Sequence, residues 1–296
     1  MELRLSARAP FALPAVVRSH GWVQLVPFTT DEGDDGLSYV TQLDGGRVAA
    51  LRIRPAEGGV RVVVDGPLDE TARDQVARQV TWMLGLDQDF TDFYALARDE
   101  PKLAHVVERS QGRLLRAPTL FEDAVKTILT TNTAWGGTIR MVEALVRQFG
   151  APLPEDPARH AFPIPARLAV TDEETLRADV RLGYRAPYVL ALARDVAEGT
   201  LDLEAFKSPD LSTPVLRKRL LAIKGVGAYA AASLLMLLGH YDCVPVDSWA
   251  VKLVSHEWHA GAPVGRDEVE AAFARWGAWQ GLAYWFWAWD DLSEEG

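Results

Sequence analysis

Cysteine is almost absent: Cys243 is the single thiol in 296 residues. One thiol forms no internal disulfide, no four-thiolate iron–sulfur cluster and no cysteine-built zinc site. That usage points to a reducing, cytoplasmic setting, as does the start Met1-Glu2-Leu3-Arg4, which lacks a secretory apolar segment. Long apolar runs are missing too, and none approaches the roughly 20 residues of a membrane-spanning helix. The six histidines are scattered. His256 and His259 fall three apart on a predicted helix without an acidic ligand beside them, so they read as structural or surface groups. There is no internal repeat and no low-complexity tract.

A surplus of positive charge is also lacking, since the net charge is −10. An acidic chain argues against a nucleic-acid partner, but what matters for phosphate is a local basic face. The acidity is uneven. Residues 1–100 hold ten Arg against sixteen Asp and Glu, whereas residues 101–150 hold seven basic against four acidic residues, and 211–260 five against three. The objection is weakened by this distribution and not removed.

What is present is an ordinary globular composition, 48% hydrophobic and 24% charged, long enough for two domains. Residues 1–100 read as a β-rich domain. Gly21–Phe28, Leu37–Leu43, Arg47–Arg54 and Gly59–Val64 are short runs with alternating or β-branched apolar positions, separated by the turn clusters Asp31–Gly36, Asp44-Gly45-Gly46 and Glu57-Gly58-Gly59. Asp69–Leu86 then turns helical, with Val76, Val80, Met83 and Leu84 on one face. From residue 101 to 296 strand signals nearly vanish. Thr119 and Glu122 form a capping-box pattern before a helix to about Thr131. Helices are predicted at Thr138–Phe149, Thr171–Leu182, Ala186–Glu198, Thr213–Ala222, Tyr229–Leu238 and Ser248–Trp258, with the proline-rich 151–166 as a loop. The fold class is therefore α+β: a small N-terminal antiparallel sheet with a helix, then an all-α array.

Two features carry chemistry. Lys224-Gly225-Val226-Gly227 joins two helices through a tight turn, and the second helix opens with unpaired N–H groups that suit a phosphate. The same residues also suit a plain interhelical turn. Eighteen residues after Tyr229 stands Asp247, in Val244-Pro245-Val246-Asp247-Ser248-Trp249. Pro245 extends the residue before it, and Asp247 falls at a helix N-cap. Taken alone, its carboxylate reads as a plain cap; a group held for reaction is the second reading.

Taken together, these stretches resemble the signature of the helix-hairpin-helix DNA glycosylases, whose hairpin carries Gly-Val-Gly and whose catalytic Asp lies about twenty residues on. Leu182–Val189 is similar to the segment upstream of the hairpin in 8-oxoguanine DNA glycosylases. Gly112–Arg116 and Ile128–Asn132 are similar to their first core helices. The resemblance spans about residues 105–290, with the hairpin at about 213–238, and the β-rich start suits the sheet domain of these enzymes and of the bacterial inducible 3-methyladenine glycosylase.

The resemblance implies that Asp247 is catalytic, that Lys224, Gly225, Val226 and Gly227 bind DNA backbone, and that Asn132 fills the gap left by a flipped base, although Asn132 also suits a helix C-cap. Tyr284 aligns with a base-pocket position. Tyr229, Trp249 and Trp135 are further candidate lining residues. Ten tryptophans crowd the chain, with Trp276, Trp279, Trp285, Trp287 and Trp289 near its end, and Trp285 with Trp289 reads as core. Bifunctional members carry Lys where this chain has Tyr229, and a phenol forms no Schiff base. Lys224 stands where the family often has Pro. The implied function is monofunctional removal of damaged purines, alkylated ones first, from double-stranded DNA by a monomer. No cofactor is implied beyond a structural alkali cation that the hairpin carbonyls could hold. The alternatives are an 8-oxoguanine or other oxidised-base specificity, a non-catalytic DNA-binding module, and a protein-interaction scaffold.

Overall fold

The computed structural model describes residues 1–30 and 35–288. Trp289, and Asp31 to Asp34 of the predicted turn at 31–36, lie outside the described residues. Among the described residues no helix is long and apolar enough to cross a membrane.

Five antiparallel strands form the N-terminal sheet: β1 (Glu2–Ser6), β2 (Phe28–Thr29), β3 (Leu37–Gln42), β4 (Val48–Ala56) and β5 (Gly59–Val64), in the order β1-β5-β4-β3-β2. Registers Leu37↔Ile53, Tyr39↔Leu51 and Ile53↔Val62 put alternate apolar residues on one face, and all of them are buried. On the other face of β3 and β4, Val40 and Ala50 pack with Leu153 and Ala161. The helix Glu70–Leu84 starts at Asp69, whose carboxylate accepts from Ala72 N, and buries the predicted Val76, Val80, Met83 and Leu84.

The chain divides into two compact units that interleave in sequence. One comprises Met1–Gln88 with Arg113–Lys207, the other Asp89–Gly112 with Ser208–Gly296. This division differs from a boundary near residue 100, and polar contacts explain how 113–207 joins the sheet. The helix Leu120–Thr130 is buried along nearly its whole length, charges included. Tyr39 of β3 donates to Glu122 Oε2 at 2.6 Å, and Lys126 donates to Glu122 Oε1 at 2.6 Å. The Lys126 ammonium also lies 4.7 Å from the Phe28 ring centroid. Arg113, fully enclosed, donates to the carbonyls of Arg8, Pro10, Gly85 and Gln88.

Several local readings are corrected. Gly21–Phe28 is not one strand: Gly21–Gln24 is a short 3-10 helix, and only Phe28 and Thr29 pair in β2. Trp22 explains the difference, since its indole N–H reaches Asp123 Oδ1 at 2.7 Å, while Pro27 supplies no N–H. β1 was not predicted. The 151–166 segment contains a small hairpin, Pro152–Leu153 with Asp156–His160. Thr171–Leu182 holds only the helix Glu173–Ala178, capped by Asp172 and followed by Arg181 at φ +62°. Thr119 caps its helix, but Glu122 turns to Tyr39 and Lys126 instead of completing the box.

The second unit is helical, with Thr91–Arg98, Ala104–Glu108, Thr213–Leu221, Ala228–Leu237, Ser248–His259, Arg266–Phe273 and Gln280–Trp285. Aromatics fill it. Trp279 stacks on Tyr241 and Phe93 at 5.6 Å, and Phe273 meets Trp276, Trp287 and Trp258 at 5.4 to 5.6 Å. Trp276 and Trp287 are therefore core, whereas Trp285 is half-buried.

Asp123 makes the first unit's stability depend on pH. Its Oδ1 accepts from Trp22 and from Ala117 N, Oδ2 has no hydrogen-bond partner among the described residues, and burial pushes its carboxyl up to about 7. Because this folded pKa lies above the ordinary 3.8, the carboxyl's contribution is fully present below the ordinary value and is lost as pH rises through about 7. His20, half-buried and lowered to about 4 by desolvation, works in the opposite sense, so the wild-type profile is a composite. Asp123→Asn isolates the carboxyl, since its amide oxygen keeps both hydrogen bonds. Relative to wild type, the variant should gain stability from pH 4 to 7, by up to roughly 1.4 kcal/mol per pH unit, and then level off. Urea unfolding of both proteins across that range measures it, and a flat difference would contradict the buried-carboxyl assignment.

Candidate active site

In the second unit, the helices Thr213–Leu221 and Ala228–Leu237 are joined by Ala222–Gly227. Pro214 sits in the first turn of the former, as its fixed φ favours. Val226 is buried, and its N–H closes the turn onto Ile223 O at 3.0 Å. The two glycines serve different ends. Gly225 has φ +89°, a conformation that requires glycine. Gly227 has φ −87° and ψ −174°, open to any residue, and a Cβ there would meet nothing within 4 Å. The fold alone does not demand a glycine at 227; a group approaching from outside would. Gly227 is the N-cap, and no side chain caps the helix, an end whose dipole suits an anion. Lys224 is exposed beside them.

The Ala228–Leu237 helix carries Tyr229, half-buried, on its first turn, and buries Ala230, Ala231, Leu234, Leu235 and Met236. The chain then runs through Tyr241–Val246 to Asp247, which caps Ser248–His259 as predicted: its Oδ1 accepts from Ala250 N at 2.8 Å. The same oxygen accepts from the Tyr284 hydroxyl at 3.0 Å. No hydrogen bond reaches Asp247 Oδ2 from the described residues, and Asp247 is half-buried. Burial, then the Asp247 charge, pushes the Tyr284 phenol far above its ordinary value and keeps it a donor.

Trp249 is 52% exposed, two residues past Asp247, with the Lys252 ammonium 5.6 Å from its ring centroid. Lys224, Gly225, Val226, Gly227, Tyr229, Asp247, Trp249 and Tyr284 all belong to this unit. His256 and His259 are exposed, and the described residues hold no group of three or more metal-ligating side chains.

Asn132 and Trp135 belong to the first unit. Thr131 is the C-cap of Leu120–Thr130, and Asn132 follows it at φ +47°, exposed. Its Nδ2 donates to the Tyr184 hydroxyl at 3.2 Å. Tyr184 is 44% exposed and is propped by buried Arg185, whose guanidinium lies 4.5 Å from the ring and donates to Thr131 O. Asn132, Tyr184 and Arg185 thus form one assembly. Sequence reasoning noticed the Gly183-Tyr184-Arg185 stretch but gave neither side chain a role. Trp135 donates its indole N–H to Gln24 at 2.7 Å and lies against Gly21, contacts that account for it as packing.

Comparison with known proteins fits this geometry. The family model described as "HhH-GPD superfamily base excision DNA repair protein" matches residues 125–278. The chain is 24% identical over 227 residues to a DNA-3-methyladenine glycosylase of Bacillus subtilis, covering 73% of this chain and 72% of that protein. It is 28% identical over 227 residues to a probable N-glycosylase/DNA lyase of Methanothermobacter thermautotrophicus, covering 70% of each. Its fold matches that of the Clostridium acetobutylicum 8-oxoguanine glycosylase/lyase, solved with double-stranded DNA containing cytosine opposite 8-oxoguanine. There the TM-score is 0.73 at 19% identity, covering 94% of this chain and 91% of that one.

The geometry separates cap from charge and turn from surface. Asp247→Asn should change unfolding free energy by less than about 0.5 kcal/mol, and Asp247→Ala should lower it by about 2 kcal/mol or more, because the cap is lost and the buried Tyr284 hydroxyl loses its acceptor. Gly225→Ala should cost about 1 kcal/mol or more through its positive φ, whereas Gly227→Ser, entering open space at an N-cap, should cost nothing. Denaturant midpoints give all four values. Equal costs at the two glycines would refute the distinction drawn between them.

Proposed function

The chain belongs to the HhH-GPD superfamily of base excision DNA repair proteins, and from that premise we propose that it is a monofunctional DNA glycosylase that hydrolyses the N-glycosidic bond of damaged purines, alkylated ones first. The observation that carries this reading is a carboxylate with one oxygen pinned and the other open, in the same unit as a hairpin whose Gly227 is bare for no reason internal to the fold.

The hairpin amides and Lys224 hold a phosphate of duplex DNA without reading sequence. The damaged nucleotide leaves the stack, and Asn132 enters the gap. As the C1′–N bond breaks, its electron pair leaves with the base and the sugar becomes oxocarbenium-like. Asp247 Oδ2 stabilises that charge and orients a water, whose oxygen bonds to C1′ while its proton passes to the carboxylate. An alkylated purine bears positive charge and is already a good leaving group, so the reaction needs little general-acid help. Tyr229 at the family's Schiff-base position supports hydrolysis over lyase chemistry. Trp249, exposed beside Asp247, offers a ring face to a flipped or cationic base.

The similarity to N-glycosylase/DNA lyases and to an 8-oxoguanine enzyme keeps one second reading in view, removal of an oxidised base with strand cleavage. One experiment separates the two. Duplexes carrying a single 7-methylguanine, hypoxanthine or 8-oxoguanine are incubated with the protein, with and without borohydride. The expected result is fastest release of 7-methylguanine, an intact strand with an abasic site, and no trapped protein–DNA complex. Efficient trapping would show that an amine, Lys224 first among suspects, does what is here assigned to water. Binding should weaken with salt despite the acidic chain, and Gly227→Leu should weaken it alike for all sequences by filling the phosphate's space. Salt-independent binding would refute the hairpin's role.

A further inference from the structure

We propose that Tyr284 is a positioning residue for Asp247: its hydroxyl fixes the carboxylate plane so that Oδ2 alone faces the scissile bond. The inference rests on the glycosylase reading of Asp247. It departs from a base-pocket role for Tyr284, because the phenol's polar atom is committed to Asp247 Oδ1 at 3.0 Å and the residue is only 6% exposed.

The N-cap bond alone does not orient a carboxylate. One donor, Ala250 N, leaves the group free to rock about its Cβ–Cγ bond and to exchange oxygens. A second donor on the same oxygen, from a different helix, removes that freedom. The second donor is itself held firmly. Tyr284 lies on Gln280–Trp285, and its ring meets Phe273 edge-on at 5.6 Å, within the cluster that includes Trp276 and Trp287.

That helix is tied at its start to the segment leading to Asp247. Gly281 N donates to Tyr241 O at 2.7 Å, and Gln280 Nε2 to Asp242 O at 2.7 Å. A Cβ at Gly281 would stand 3.0 Å from Tyr241 O and closer still to Cys243 O, so only glycine allows this approach. The distance between donor and acceptor is therefore set by packing on both sides. A buried phenol needs some acceptor, and any carbonyl would serve. A carboxylate oxygen as acceptor adds what a carbonyl would not: an oriented negative charge with one oxygen left open.

Tyr284→Phe deletes only the hydroxyl and keeps the ring in its aromatic cluster. On a 7-methylguanine duplex, the single-turnover rate should fall about 10- to 100-fold, the loss expected for one hydrogen bond to a charged group. DNA affinity should stay at the wild-type value, and the melting temperature should fall by only a few degrees, as loss of one hydrogen bond does. In an Asp247→Asn background the same change should have no further effect on rate, because Tyr284 acts only through the carboxylate. A wild-type rate for Tyr284→Phe beside an inactive Asp247→Asn would overturn the inference alone. A loss confined to DNA affinity would do the same, making Tyr284 a DNA contact. Full activity of Asp247→Asn would overturn the catalytic role of Asp247, and the inference with it, while absence of base release by the wild-type protein would overturn the glycosylase reading.

Discussion

One carboxylate oxygen, Asp247 Oδ1, accepts hydrogen bonds from two different helices, and the second unit is organised around that convergence. Ala250 N fixes it to the start of Ser248–His259, and the Tyr284 hydroxyl fixes it to Gln280–Trp285. For both donors to reach one oxygen, the Tyr241–Val246 segment must lie against the second helix, which is why position 281 tolerates no side chain. The aromatic cluster around Phe273 then holds Tyr284 in place. The other oxygen takes no hydrogen bond from the described residues, and it is the one that the proposed chemistry uses. Capping and reactivity are compatible because a carboxylate has two oxygens to divide between them.

The first unit solves a different problem with the same means. Asn132, the proposed gap filler, stands exposed at a helix end in a left-handed conformation and donates to Tyr184, against whose ring buried Arg185 packs while donating to Thr131 O. Deeper in, Glu122, Asp123 and Lys126 are buried on one helix; Glu122 is met by Tyr39 and Lys126, and Lys126 also by the Phe28 ring, while Asp123 meets Trp22 through one oxygen only. Buried charges of this kind contribute little net stability, but breaking one partner is costly, so they fix how the helix sits on the sheet. Arg113, bound to carbonyls from residues 8 to 88, fixes the N-terminal segments likewise.

Some of this was legible in the sequence. Gly-Val-Gly between helices, Asp247 as an N-cap and the apolar face of Glu70–Leu84 follow from local rules of turn, cap and period, and the geometry has each of them. The fold class follows from the order of strand and helix patterns. Other features are invisible to local rules because they depend on contacts distant in sequence. Gly21–Phe28 alternates like a strand, yet Trp22 is drawn out of register by Asp123, a hundred residues on. Glu122 looked like a capping-box partner until Tyr39 claimed it. Tyr284 could be placed near the site by resemblance, but its bond to Asp247 depends on how two helices pack. The interleaving of the two units is hidden for the same reason, since no composition shift marks where residues 89–112 join the C-terminal helices.

The central claim is that Asp247 supplies charge for base release and that its other work, capping the helix, can be kept without that charge. Single-turnover release of 7-methylguanine by Asp247→Asn, at protein concentrations that saturate the duplex, tests it most directly. The account predicts a folded protein that binds the duplex as tightly as wild type and releases base at least 100-fold more slowly, as loss of a charge made useful only in the transition state requires. Release at the wild-type rate by that folded, DNA-bound variant would contradict it.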